Sequence, residues 1–395
     1  MKILLLAPQP FFQVRGTPIA ERALAESLSQ AGHRVDILTY HEGQDPRLDG
    51  CTIYRIPRLP GIRNIRPGLS FKKVVCDLVL AGKCAGLVRK GGYDILHAVE
   101  ESAFIALAMK GLFGIPYVYD MDSALTSQIV EQRPWLRLLQ PVMERLEQIV
   151  MRQSLCVLAV CKLLEDRVKE LAPSTPTVRI EDVSLLTPTP GGPSVDTLLD
   201  AIHGPIVMYI GNLEKYQGMD LLLQGFALAW SQLLESHLVV IGGEPGHIET
   251  YERMAEQLGV SANVHFLGPQ PPSALAGFLA GAQVVVSPRT AGINTPLKVF
   301  SYLDSGVPLL ATRLPTHTQV LDDDVALLVD PVPQALGDGF VELLSNPTLR
   351  SQLVVEAKRR VQEEFSREAF DRKVIGFCEQ VEAELLQVSE NLSHT

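Results

Sequence analysis

The chain has 395 residues, 46% of them hydrophobic and 20% charged, with a formal net charge of −10 at pH 7. That length exceeds one ordinary core and predicts two domains of roughly 200 residues each, and the composition excludes a disordered chain. The acidic balance argues against a general nucleic-acid binder.

The opening "MKILLLAPQP" reads as a first strand, because Pro8 and Pro10 end its apolar run before the core of a signal peptide would be complete. Gly16 and Thr17 then lead into an amphipathic stretch over 18–31, a turn able to approach a phosphate or a sugar. An ordinary turn explains Gly16 equally well. The turn lacks GxGxxG and no acidic residue closes a second strand in the dinucleotide pattern, so NAD is weakly supported.

Further apolar runs at 35–39, 94–98, 115–119 and 155–160 alternate with helical-period stretches at 102–113, 134–153 and 162–171. Such alternation implies a parallel sheet covered by helices. The best candidate for crossing a bilayer, 74–88, contains Asp77 and Lys83 and falls short of the ~18 to 20 apolar residues required.

Residues 54–73, "YRIPRLPGIRNIRPGLSFKK", carry Arg55, Arg58, Arg63, Arg66, Lys72 and Lys73 with no acidic residue. Ile56, Leu59, Ile62, Ile65, Leu69 and Phe71 are interleaved and suit a headgroup region, so peripheral contact with an anionic membrane is expected here. A solvated basic loop guiding an anionic acceptor is the alternative.

The stretch "TPTPGGPSVDT" over 187–197 reads as a linker, which sets an N-terminal domain at 1–186 and a linker at 187–203. A second series follows, with strands near 205–210, 238–242, 263–267, 283–286, 308–312 and 325–329 and helices near 218–234, 246–258, 272–280, 295–305 and 316–321. The tail, about 333–386, is mostly helical. Two Rossmann-like domains in tandem result, and ligands of such sheets bind beyond the carboxyl ends of the strands.

The chemistry concentrates in the second domain. In "GINTPLKVFSYLDSG", 292–306, Asn294 or Thr295 is placed to cap a helix over about 295–305, with Pro296 at its first position. Its unpaired N–H groups and Lys298 form an anion site suited to phosphate. Gly211, Asn212, Lys215 and Gln217 in "YIGNLEKYQG", Glu244 in "GGEPG", Phe266 and Leu267 in "VHFLGP", and Arg289 in "SPRTAG" occupy neighbouring strand ends. Ordinary turns account for each loop alone, but their joint order is harder to explain that way. The six cysteines lack CxxC spacing and the nine histidines lack HExxH, so no metal site is expected and a reducing cytoplasm fits.

Together "GTPIAERALAESLSQAGHRVDILT", "YIGNLEKYQGMDLLLQGF" and "SPRTAGINTPLKVFSYLDSGVPLLATRLPTHTQVL" resemble the family 4 glycosyltransferases of the GT-B fold, over essentially the whole chain. The resemblance implies two Rossmann-like domains facing a central cleft. It also implies a nucleotide-sugar-binding domain at 204–365 and a terminal helix at 366–395 returning to the first domain. The implied reaction is metal-independent transfer with retention, without a cofactor, to a glycan or lipid-linked acceptor in surface polysaccharide or glycoconjugate synthesis. The implied location is the cytoplasm, at the membrane face.

Residue by residue, the family's paired glutamates fall on Ile293 and Ser301, and its diphosphate-holding Arg and Lys fall on Asn212 and Gln217. Its frequent first-domain histidine falls on Asp122, while His97 matches another histidine position; these two are the catalytic candidates, with Glu100 and Glu101 nearby. Lys298, Lys215 and Arg289 supply a relocated cation set, with Asn294, Thr295, Pro296 and Leu297 at the helix mouth. The missing glutamates leave open a non-catalytic GT-B protein that binds a nucleotide or supports a partner enzyme. A nucleotide-sugar epimerase fits the whole-chain pattern less well.

Overall fold

A computed structural model describes residues 1–13, 16–65, 68, 70–186, 199, 202–233 and 235–393. The chain forms two compact units, one from residues 1–181 together with the chain from Phe370 onward, the other from Asp182 to Ala369.

In the first unit seven strands, β1 (Lys2–Ala7), β2 (Arg34–Thr39), β3 (Cys51–Arg55), β4 (Ile95–Val99), β5 (Tyr117–Met121), β6 (Cys156–Ala159) and β7 (Thr177–Arg179), form a sheet ordered β3-β2-β1-β4-β5-β6-β7. All pairings are parallel, with Leu5 beside both Ile37 and His97. The central strands are apolar along nearly their whole length because helices cover both faces. Those helices are α1 (Gly16–Gln30), α2 (Phe71–Gly91), α3 (Ser102–Phe113), α4 (Leu125–Gln132), α5 (Gln140–Gln153) and α6 (Lys162–Leu171).

Strands β3 and β7 lie at the sheet edges and are partly exposed, which denied them the uninterrupted apolar run that marks a buried strand. The stretch expected as one helix over 134–153 is a 3-10 turn, Pro134–Leu139, followed by α5, whose Pro141 suits a helical first turn.

The 27-residue helix Arg367–Ser393 is fastened to the first unit by polar contacts at several points along its length. Asp371 Oδ1 accepts from Ser27 Oγ at 2.5 Å, Lys373 Nζ meets Glu181 Oε2 at 2.6 Å, and the Phe377 ring stands edge-on to His97. The division between units falls at 181/182 and 369/370, where the sequence placed domain limits at 186 and 365. The expected linker 187–203 lies outside the described residues apart from Leu199, Ile202 and His203; of these, Leu199 and Ile202 pack against the second core.

The second unit has six parallel strands, β8 (Ile206–Ile210), β9 (His237–Ile241), β10 (Val264–Gly268), β11 (Val284–Ser287), β12 (Leu309–Thr312) and β13 (Leu327–Val329), ordered β10-β9-β8-β11-β12-β13. Successive residues of a strand point to opposite faces, so Met208 joins a core with Phe300 and Phe365, while Val207 and Tyr209 join another with Phe226 and Phe340. Strand order reverses between β1 and β4 in one sheet and between β8 and β11 in the other, and these switch points are where such sheets receive ligands.

Candidate functional site

At the β8/β11 switch, strand β11 runs into Pro288 and Arg289, and the chain then turns through Gly292 to the helix Leu297–Asp304. Pro296, not Asn294 or Thr295, occupies the capping position, with extended backbone and no side-chain cap, so the helix starts later than the sequence predicts. The reason is competition. The Asn294 carbonyl accepts from Arg289 Nη1 at 2.7 Å and from Thr316 Oγ1 at 2.6 Å, which fixes the preceding turn against the helix mouth.

Arg289 is 6% exposed and is held entirely by neutral groups: Asn294 O, Thr316 Oγ1 at 2.9 Å, and the Tyr216 ring 5.1 Å away. Lys298 is half-buried, its amine 3.8 Å from the Tyr209 ring centre and donating to Gln217 Oε1 at 3.1 Å. Among the described residues neither cation reaches a carboxylate. Burial pushes the Lys298 ammonium well below its ordinary value and the Arg289 charge pushes it further; burial likewise lowers Arg289. Two cations withdrawn from water without a counter-ion favour an incoming anion. Arg289 Nε and Thr295 Oγ1 are buried and unpartnered, adding two donors to that balance.

Glycine makes this approach possible at two points. Gly211 adopts φ +155°, and a Cβ there would stand 3.0 Å from Tyr209 Oη and 3.2 Å from Lys298 Nζ. Gly292 has φ +120°, and a Cβ would meet Arg289 Cζ at 2.9 Å.

A histidine that the sequence did not single out braces the same loops. His317 is fully buried; its Nδ1 donates to Thr312 O at 2.8 Å and its Nε2 accepts from Ser287 Oγ at 2.8 Å. Thr312 Oγ1 in turn donates to the Arg289 carbonyl at 2.6 Å. Burial, followed by the Arg289 and Lys298 charges, lowers His317 to about 4, so it stays neutral beside the cations. The only sequence signal for it was its place after a strand end, in "LPTHTQVL".

At the β1/β4 switch of the first unit the groups are acidic. Glu100 follows β4 in a left-handed conformation, φ +51°, and accepts from Ser123 Oγ at 2.9 Å. Glu101 pairs with Lys73 at 2.5 Å. Burial, then the Glu101 charge, raises Glu100 to about 8, and burial raises Asp77 to about 7. Glu21 of α1 is 3% exposed, and burial drives its carboxyl well above the usual range.

Residues 16–181 match the family described as glycosyl transferase 4-like domain, and residues 202–360 match glycosyl transferases group 1. The chain is built of two glycosyltransferase-family domains. D-inositol 3-phosphate glycosyltransferase of Corynebacterium urealyticum is 25% identical over 85% of this chain and 84% of its own. Sucrose-phosphate synthase of Thermosynechococcus elongatus superimposes with a TM-score of 0.80 at 20% identity, over 97% of this chain and 99% of its own. The Anabaena protein HepE in complex with UDP-glucose gives 0.73 at 14% identity, over 96% and 99%. The fold is GT-B: two parallel-sheet α/β domains of seven and six strands.

In this glycosyltransferase the remaining expected residues are placed unevenly. Gln217 is buried against Lys298, Leu297 opens the helix, and Asn212 lends its carbonyl to the Tyr209 hydroxyl at 2.6 Å. Lys215 is exposed in the short turn Lys215–Gln217. Glu244 is exposed at the start of the helix Pro245–Gln257 and makes no side-chain cap. Phe266 and Leu267 are half-buried in β10. Gly16 is exposed and simply begins α1, with open space where a Cβ would be.

Ser301, His97 and part of the stretch 54–73 are engaged by other groups of the protein. Ser301 is 1% exposed and its hydroxyl accepts from the Leu185 N–H at 3.0 Å, a structural contact. His97 is 2% exposed in β4 and its Nε2 lies 2.7 Å from Asp120 Oδ2, so it positions Asp120 from within the core; Asp122 is half-buried just past β5. The basic stretch 54–73 is divided, with Arg58, Arg63, Lys72 and Phe71 exposed. Arg55 is held by Asp45 and the carbonyls of Tyr40 and Glu42, Lys73 by Glu101, and Ile56 and Ile65 are buried, while Arg66 and Leu69 lie outside the described residues. Among the described residues no helix is long and apolar enough to cross a membrane, and no group of three or more His, Cys, Asp or Glu is placed to hold a metal ion.

Proposed function

We propose that this glycosyltransferase moves a hexosyl group, with retention, from a nucleoside-diphosphate sugar to a hydroxyl of a glycan or lipid-linked acceptor. The observation that carries the reading is the pair Arg289 and Lys298, drawn out of water with only neutral partners. When the bond between the sugar C1 and the diphosphate breaks, negative charge collects on the departing phosphate oxygen. Guanidinium, ammonium and the N–H groups of the helix Leu297–Asp304 are the preorganised donors for that charge, a role a divalent metal would otherwise fill. The UDP-glucose complex of HepE supports the donor class, and the name of the Corynebacterium relative supports a polyol phosphate among the acceptors to be tried.

The non-catalytic alternative is favoured by one observation: Ile293 and Ser301 carry no carboxylate, and the Ser301 hydroxyl is already engaged. Incubation with a panel of nucleotide sugars, with and without a chelator, separates the readings. Release of nucleoside diphosphate that persists in chelator, with a product of unchanged anomeric configuration, is expected. Nucleotide binding without turnover supports the alternative, and an inverted product overturns retention.

A further inference from the structure

Among the described residues, a row of large apolar side chains is exposed on the first unit. From Pro134 to Gln153, Trp135, Leu138, Leu139, Val142, Leu146 and Ile149 face solvent, with Leu138 90% and Trp135 70% exposed. Their spacing forms one helical stripe, while Leu136, Val150 and Met151 on the other side enter the core. The exposed apolar residues continue on the two helices beside it. Leu112 and Phe113 end α3, which packs against α5, and Phe71, Val74 and Leu78 open α2, which packs against α3. No large apolar side chain is exposed on α1 or α6. Apolar area of this extent on one layer marks a surface meant to be covered.

Charge identifies the cover. The exposed charged residues of 133–153 are Arg133, Arg137, Arg145 and Arg152. The two carboxylates of that segment are withdrawn: Glu144 is half-buried and accepts from Gln140, and Glu147 is buried and paired with Arg167 at 3.1 Å. An all-cationic, apolar face on a chain of net charge −10 is the composition of an interfacial helix. A second copy of the chain would bring the same four arginines face to face without carboxylates to meet them. We propose that this helical layer, centred on Pro134–Gln153, docks the enzyme on an anionic lipid bilayer, with Trp135 and the leucines in the headgroup region and the arginines on lipid phosphates. The proposed contact keeps Phe71 of the stretch 54–73 and centres on Pro134–Gln153, whose four arginines are exposed.

The reading is independent of the donor site and is tested separately from it. The full chain is floated with vesicles of phosphatidylcholine containing roughly 30 mol% phosphatidylglycerol, and with phosphatidylcholine alone. Flotation with the anionic vesicles at low salt, release at high salt, and little binding to the neutral ones are expected. Replacing the four arginines by glutamine, or L138S with V142S, is expected to weaken vesicle binding about tenfold or more. All six positions are exposed, so calorimetric nucleotide affinity and melting temperature serve as controls that stay unchanged. The chain has two tryptophans, and Trp230 is packed against the second core, so a blue shift of emission on adding vesicles reports Trp135 and disappears in W135F. Equal flotation of the arginine variant, no shift of Trp135, or a concentration-dependent dimer that shields Trp135 without lipid overturns the proposal.

Discussion

The two domains share a topology and diverge at the same place in it. At the β8/β11 switch the loops gather Arg289 and Lys298 among phenol rings, amides and hydroxyls; at the β1/β4 switch they gather Glu100 and Glu101, with Lys73. Each cluster is pushed towards neutrality by burial, the cations downward and Glu100 upward. A shared strand order thus carries buried cations at one switch and carboxylates at the other. The fold fixes where a ligand is received, and a handful of side chains fixes its charge.

Removing the cations breaks that comparison most strongly. Each charge-assisted contact to a phosphate is worth about 1.5 to 3 kcal/mol, so R289A with K298A should lower nucleoside-diphosphate affinity by roughly two to four orders of magnitude. Because Lys298 is uncompensated in the free protein and makes one neutral hydrogen bond, K298A alone is expected to melt no lower than the parent. Since Lys298 has a lowered pKa, binding an anion raises it, and nucleotide binding should take up protons at pH values between the lowered and the raised value. Calorimetry in buffers of different ionisation enthalpy measures that uptake, and its absence removes Lys298 from the diphosphate site.

His317 tests whether neutrality at the cationic site is built in. H317A strands the Ser287 hydroxyl and Thr312 carbonyl and leaves a cavity, at a cost of about 2 to 4 kcal/mol in stability. Its folded pKa of about 4 lies below the ordinary 6.5, so between those values the unfolded chain binds the extra proton. The stability His317 confers is complete above the upper value and is lost as pH falls through the window. Melting curves from pH 7 to 4 should show that loss in the parent and a flatter profile in the variant.

Glu100 gives the mirror-image experiment. Its folded pKa of about 8 lies above the ordinary carboxylate value of 4.5, so in that window the folded protein keeps a proton that the unfolded chain has released. Stability therefore falls as pH rises through it. E100Q keeps a partner for Ser123 while removing the charge, and is expected to raise the melting temperature by a few degrees at pH 9 and to change it little at pH 5. An equal effect at both values would assign Glu100 a packing role only.

Periodicity made most of the fold legible. Runs such as KILLLA, too short for a helix and followed by prolines, read as strands covered on both faces, and the Pro–Gly-rich loops between them mark the strand ends. Lys298 was legible because a helix mouth is a local feature. Tyr209 and His317 were not, nor was the pairing of Gln217 with Lys298, because the partners lie far apart in sequence and only the sheet brings them together. The stripe Trp135 to Ile149 was read as a helix but not as a surface, since i, i+3, i+4 spacing is the same whether the apolar face meets a core or water. The helix start at Leu297 was missed because local capping signals say nothing of Arg289 pulling the Asn294 carbonyl away.

The smallest expected effect sharpens the boundary of the cationic site. Ser301 sits one helical turn from Lys298, at the position where the resembled family carries an acidic residue for the donor, yet its hydroxyl accepts from the Leu185 N–H. S301A removes one neutral hydrogen bond and leaves that N–H unpaired, so a stability loss of about 0.5 to 1.5 kcal/mol is expected, with nucleotide affinity unchanged. S301E probes the same point from the other side, because a carboxylate there must either displace the segment around Leu185 or be buried with no proton donor beyond that N–H. A marked fall in melting temperature accompanies S301E if the hydroxyl is structural. A gain in nucleotide affinity or turnover without loss of stability would instead return position 301 to the donor site.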